Sequence, residues 1–113
     1  MSRDNLYLQD ILDSARLIQS HLEGHTLATF KADIKTQDAV IRRFEIIGEA
    51  AGHLSPEAQK ALPEVPWKLV RGMRNILIHD YDDVDLDEVW DTSQHDLAGV
   101  IQAVERHWVQ PSD

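Results

Sequence analysis

Apolar residues recur at helical spacing in four long stretches of this chain, and nowhere is there the sustained alternation that a half-buried strand would need. That pattern predicts an all-α protein. The first stretch, from about position 4 to position 22, places Leu8, Ile11, Leu12, Ala15, Ile18 and Leu22 on one stripe and stops near Gly24. Thr26 can cap a short turn reaching Phe30, and Asp33 can cap a longer helix whose apolar face is Val40, Phe44, Ile47, Ala51 and Leu54. Ser55-Pro56-Glu57 reads as a helix start, with a short helix ending before Pro63. Pro66 opens another, expected to carry Leu69, Val70, Met73, Ile76 and Leu77 toward the core and to run to about position 79 or 81.

The stretch Asp85-Leu86-Asp87-Glu88 has capping-box spacing and predicts one last helix through Leu86, Trp90, Leu97, Ile101, Val104 and Trp108. The expected product is an up-and-down bundle of four main helices plus a short one. Its 113 residues suit a single domain with a real core, and no Gly-Ser or Pro-rich linker divides them. Gly48 and Gly72 fall inside helices, where glycine weakens the helix unless a close crossing needs it, and a crossing is the expectation at both.

Composition narrows the class of protein. With no cysteine there is no disulfide framework and no thiolate metal site. No apolar run has the length of a membrane span, and the first nine residues are too polar for a signal peptide, so a soluble cytoplasmic protein is expected. The formal charge of -9 opposes indiscriminate binding to nucleic acid, yet it is unevenly spread. Positions 65 to 79 hold Lys68, Arg71 and Arg74 and no acid, whereas positions 80 to 91 hold Asp80, Asp82, Asp83, Asp85, Asp87, Glu88 and Asp91 and no Lys or Arg.

Chemistry concentrates in positions 74 to 81, Arg-Asn-Ile-Leu-Ile-His-Asp-Tyr. Asn75 and His79 are four apart and share a helix face, while Arg74 and Tyr81, seven apart, share a neighbouring stripe if the helix persists. The set combines a permanently charged planar fork, an amide, an imidazole that titrates near neutrality and a phenol. Phosphodiester cleavage in RNA suits it: a His can take the proton from a 2′-hydroxyl and an Arg can stabilise charge on phosphorus, with no metal required. One chain offers a single His in the motif, so a symmetric partner would be an economical source of the second proton. An exposed polar face of an amphipathic helix would show the same spacing without any of this chemistry.

Supporting roles are open to several other residues. Glu49 could orient Arg74 or hold a dimer together, or be a plain solvated Glu; Arg42, Arg43 and Arg71 are candidates for substrate contact, with pairing to Glu45 or Glu49 the alternative for Arg42 and Arg43. Trp67, at a helix start, reads as a packing anchor, with stacking on a base the alternative. The histidines lack the spacing of a helical metal site, and the aspartates of positions 80 to 85 lack the glycine and terminal Glu of a calcium loop.

Several segments in order along the chain closely resemble the HepT-like family of the HEPN superfamily of helical ribonucleases. They are Phe30-Lys31-Ala32-Asp33, Thr36-Gln37-Asp38-Ala39-Val40, Ile46-Ile47-Gly48-Glu49-Ala50-Ala51, Pro63-Glu64-Val65-Pro66-Trp67, and the motif from Gly72 through Tyr81 followed by Val84-Asp85 and Val89-Trp90. The central pattern of Arg, four residues, His, one residue, Tyr is intact. The resemblance implies a HEPN-like fold and the toxin of a type VII toxin–antitoxin pair, a metal-independent endoribonuclease working at a homodimer cleft. Arg74 and His79 would be its catalytic pair, with Asn75 accompanying Arg74. It also implies a minimal nucleotidyltransferase antitoxin of the MntA kind, which would silence the toxin by transferring AMP to Tyr81. The ATP and magnesium of that step belong to the partner, so no cofactor is assigned to this chain. The rival expectation is a non-catalytic helical module that binds a nucleotide or docks a partner.

Overall fold

Helix α1 (Asp4–Leu22) forms because its apolar positions fall on one side, and Leu8, Ile11, Leu12, Ala15, Ile18 and Leu22 are all buried there. Two residues beyond its end, Gly24 turns the chain with a φ of 81°, a conformation that costs glycine nothing. The computed structural model describes residues 3–78 and 85–107, with the side chains of residues 74–78 excepted. Seven helices lie among the described residues, in the all-helical, HEPN-like arrangement that the periodicity and the resemblance predict.

The short α2 (Leu27–Lys31) is fixed by a reciprocal capping box: the Thr29 amide donates to the Thr26 hydroxyl at 3.2 Å, and the Thr26 amide donates to the Thr29 hydroxyl at 2.8 Å. Asp33 caps α3 (Ile34–His53), accepting from the Thr36 amide at 3.1 Å and its hydroxyl at 2.8 Å. Ser55 caps α4 (Pro56–Ala61) by accepting from the Ala58 amide at 3.1 Å. The Asp4 carboxylate accepts from the Ser55 amide at 2.9 Å and its hydroxyl at 2.6 Å, which latches the start of α1 to the end of α3. The two longest helices therefore run antiparallel and form the central pair.

Helix α5 (Trp67–Ile78) also packs on α3. Helix α6 (Leu86–His95) is held to α2 by the rings of Phe30 and Trp90, 5.8 Å apart, and by the Lys31 ammonium on the Asp87 carboxylate at 3.0 Å. Helix α7 (Leu97–His107) lies on α1, where Arg16 pairs with Glu105, and Arg106 pairs with Glu64 at 2.5 Å. The core draws on every helix. Each large apolar side chain removed from water there contributes about 1.5–3 kcal/mol, against chain entropy of similar total size.

Three expectations need correction. The predicted last helix is two helices, α6 and α7, divided at Asp96. Just ahead of the division the buried Ser93 hydroxyl donates to the Trp90 carbonyl at 2.6 Å, a side-chain bond of the kind that bends a helix. Leu69 does not enter the core but is 42% exposed, because Trp67, Val70 and Met73 at spacing three take the buried face and turn their neighbour to the flank. Gly72 marks no close crossing, since a Cβ built there would meet nothing within 4 Å. Gly48, by contrast, is buried in α3.

Candidate active site on helix α5

The position of α5 is set at its first residue. The Trp67 indole N–H lies 3.0 Å from both the Gln59 and Leu62 carbonyls, and the ring is buried, so this residue is the packing anchor that the sequence predicts. Val70 and Met73 then seat the helix. Gln59 adds a second tie: its side-chain oxygen accepts from Arg71 at 2.9 Å while its amide nitrogen donates to the Leu54 carbonyl at 3.1 Å. One glutamine of α4 thereby joins the end of α3 to the first half of α5.

Arg74 and Asn75 stand on the helical backbone of α5, two turns beyond this anchor. Their side chains, and His79 and Tyr81 entirely, lie outside the described residues. The described part of the site is thus the platform that carries the motif. A helix fixed at one end by a buried indole suits chemistry in which small displacements are costly.

The candidates for support fall in different places. Arg42 is exposed and lies 3.5 Å from Glu45, the pairing weighed as the alternative to substrate contact. Arg43 is half-buried on the same helix. Arg71 is engaged by Gln59, which explains its position without a substrate. Glu49 is exposed and lines a groove of about 220 Å³ between α1 and α3 with Tyr7, Asp10, Ile46, Ala50 and His53. In that groove the Tyr7 and His53 rings stack at 5.1 Å and 17°.

A second groove, of about 580 Å³, runs along the outside of α5 and is lined by Pro66, Lys68, Leu69 and Gly72. It exists because Gly72 has no side chain and Leu69 is displaced from the core. The sequence alone concealed it, since both residues were expected to face inward. The register of Trp67, Val70 and Met73 was the available signal.

Two carboxylates stand below their usual range. Hydrogen bonds from the Thr36 side chain and backbone hold Asp33 down. Its own backbone N–H and then Arg106 do the same for Glu64. Asp33 caps α3, and Glu64 stands three residues before the start of α5.

The model of the family described as "Ribonuclease HepT-like" matches residues 11–107, a span that takes in α5 and the whole of positions 74 to 81. The chain belongs to the HepT-like family. Among its relatives is a "Probable ribonuclease HepT" of Thermococcus cleftensis, 40% identical over 91 residues, covering 80% of this chain and 83% of that protein. A Methanocaldococcus jannaschii protein named "Gamma-glutamylcyclotransferase and putative RNase" is 41% identical over 92 residues, and that match spans 81% of this chain but 41% of the longer protein. A "Putative RNase" of Caldanaerobacter subterraneus subsp. tengcongensis is 36% identical over 86 residues, covering 76% of this chain and 77% of its own. No solved structure matches the chain. The HepT-like family is therefore shared with proteins named for RNA cleavage.

Proposed function

We propose that this HepT-like chain is an RNA endonuclease, the toxin of a type VII toxin–antitoxin pair, with Arg74 and His79 as its catalytic pair. The observation that carries the reading is the intact Arg74, His79 and Tyr81 pattern inside the span matched by the ribonuclease family. His79 takes the proton of a 2′-hydroxyl, and the 2′-oxygen attacks the adjacent phosphorus. The bond from phosphorus to the 5′-oxygen breaks, and that oxygen leaves with a proton from a second acid. Arg74 stabilises the charge that accumulates on the phosphoryl oxygens, with Asn75 beside it. In a two-fold dimer the partner subunit's His79 supplies the second proton, and no metal is needed.

Tyr81 is the control point in this reading. A minimal nucleotidyltransferase of the MntA kind transfers AMP from ATP to the phenol oxygen and releases pyrophosphate. The product places bulk and negative charge two residues from His79, where substrate phosphate would otherwise approach. Silencing follows by repulsion and obstruction.

The test is cleavage of RNA by purified protein in the presence of a chelator. Wild type is expected to cut, while His79→Ala and Arg74→Ala each lose activity by a factor on the order of 100 or more, the first as an acid–base group and the second as a stabiliser of developing charge. Equal cleavage by all three would leave the second reading, a non-catalytic module, which the net charge of -9 favours. For Tyr81, mass spectrometry after coexpression with the transferase is expected to show a mass gain of AMP on the neutralised toxin. An unmodified Tyr81 in a neutralised toxin removes that part of the proposal.

A further inference from the structure

Arg71 was the natural choice for a substrate contact just ahead of the motif, but its guanidinium is held by the Gln59 side chain at 2.9 Å. Lys68 is placed differently. It is exposed at the edge of the apolar groove on α5, and it forms no ion pair among the described residues. Lys68, Gly72 and Asn75 follow each other at spacings of four and three, so they occupy one face of α5 by register. The helical rise sets Lys68 about 10 Å from Asn75 along the axis. Between them Gly72 leaves the backbone open, with nothing within 4 Å of a Cβ built there.

We propose that Lys68 is a positioning residue for RNA, its ammonium holding a backbone phosphate that flanks the bond to be cut while the strand lies over the open surface of Gly72. The inference rests on the ribonuclease reading. Charge complementarity selects the occupant: positions 65 to 79 are free of acid in a chain that is otherwise strongly acidic, so a polyanion is drawn to this face and away from the rest. Pro66 and Leu69 give the groove an apolar wall that sheds water as the strand docks, strengthening the contact between Lys68 and phosphate.

The experiment measures binding of a fluorescent RNA whose riboses are 2′-O-methylated, so that the attacking hydroxyl is absent and the probe stays intact. Anisotropy titrations over a range of salt would compare wild type, Lys68→Ala, Lys68→Arg and a control, Lys35→Ala, at the first turn of α3. Lys68→Ala is expected to weaken binding several-fold and to reduce the slope of log affinity against log salt by about 0.7, one phosphate contact on a single strand. Lys68→Arg retains the slope and Lys35→Ala matches wild type. A Lys68→Ala slope equal to wild type, in a protein that still cuts RNA, overturns the role of Lys68 and leaves the ribonuclease reading standing. A wild type that neither cuts nor binds RNA overturns both. Sedimentation of Leu69→Asp supplies the remaining outcome: conversion of a dimer to monomers assigns the groove to a second copy and overturns the proposal.

Discussion

Asp33 and Glu64 show how single residues tie this scaffold to pH. Both carboxylates are more acidic in the folded protein than in the unfolded chain, so each contributes stability that is complete above its unfolded value, near 3.8 for Asp33 and 4.5 for Glu64. The contribution fades as pH falls through the folded values, because protonation then removes the acceptor that Thr36 or Arg106 uses. Urea midpoints measured from pH 6 down to pH 3 are expected to drop, and Asp33→Asn is expected to flatten the decline. An unchanged slope for that variant would show that the Asp33 cap does not titrate with folding. The motif residues illustrate the other side of residue-scale reading. Spacing placed Arg74, Asn75, His79 and Tyr81 on adjoining stripes, but the reaction assigned to them came from the family pattern, since an exposed helix face has the same periodicity.

At the scale of the element, the helix boundaries were legible because local chemistry writes them. Thr26, Asp33, Ser55 and Asp85 all cap the helices that follow them, each accepting a backbone N–H three residues on. What could not be read was tertiary: which flank of α5 meets α3, and the division of the last helix at Asp96. Gln59 was equally silent, as nothing in sequence marks a glutamine that serves three partners. The two glycines give opposite expectations. Gly24→Ala should destabilise by about 1–2 kcal/mol, since its φ of 81° strains any side chain. Gly72→Ala should stabilise by about 0.5–1 kcal/mol, because its surroundings are open and alanine favours the helix. Chemical denaturation of both variants checks the pair, and two shifts of the same sign would contradict this account.

For the whole molecule, the organisation is asymmetric. Helices α1 and α3 are clamped together by a shared core and by Asp4 on Ser55, with α7 covering α1 and Arg16 and Arg106 closing that side. Helix α5, which carries the motif, leans on α3 and is pinned to α4 through Gln59, and its outer side is the groove of Lys68, Leu69 and Gly72. Among the described residues α5 packs chiefly against α3, and a helix with fewer packed neighbours opens at lower free energy than one enclosed by them. Native-state hydrogen exchange should therefore find the amides of Val70 and Met73 exchanging through a partial opening, well ahead of those of Ile11 and Ile47, which should wait for global unfolding. A single exchange free energy for all four would mean that α5 belongs to the same cooperative unit. If the two differ, heat or mild denaturant would disarm the protein before unfolding it, and anything gripping the exposed side of α5 would raise the free energy of that opening.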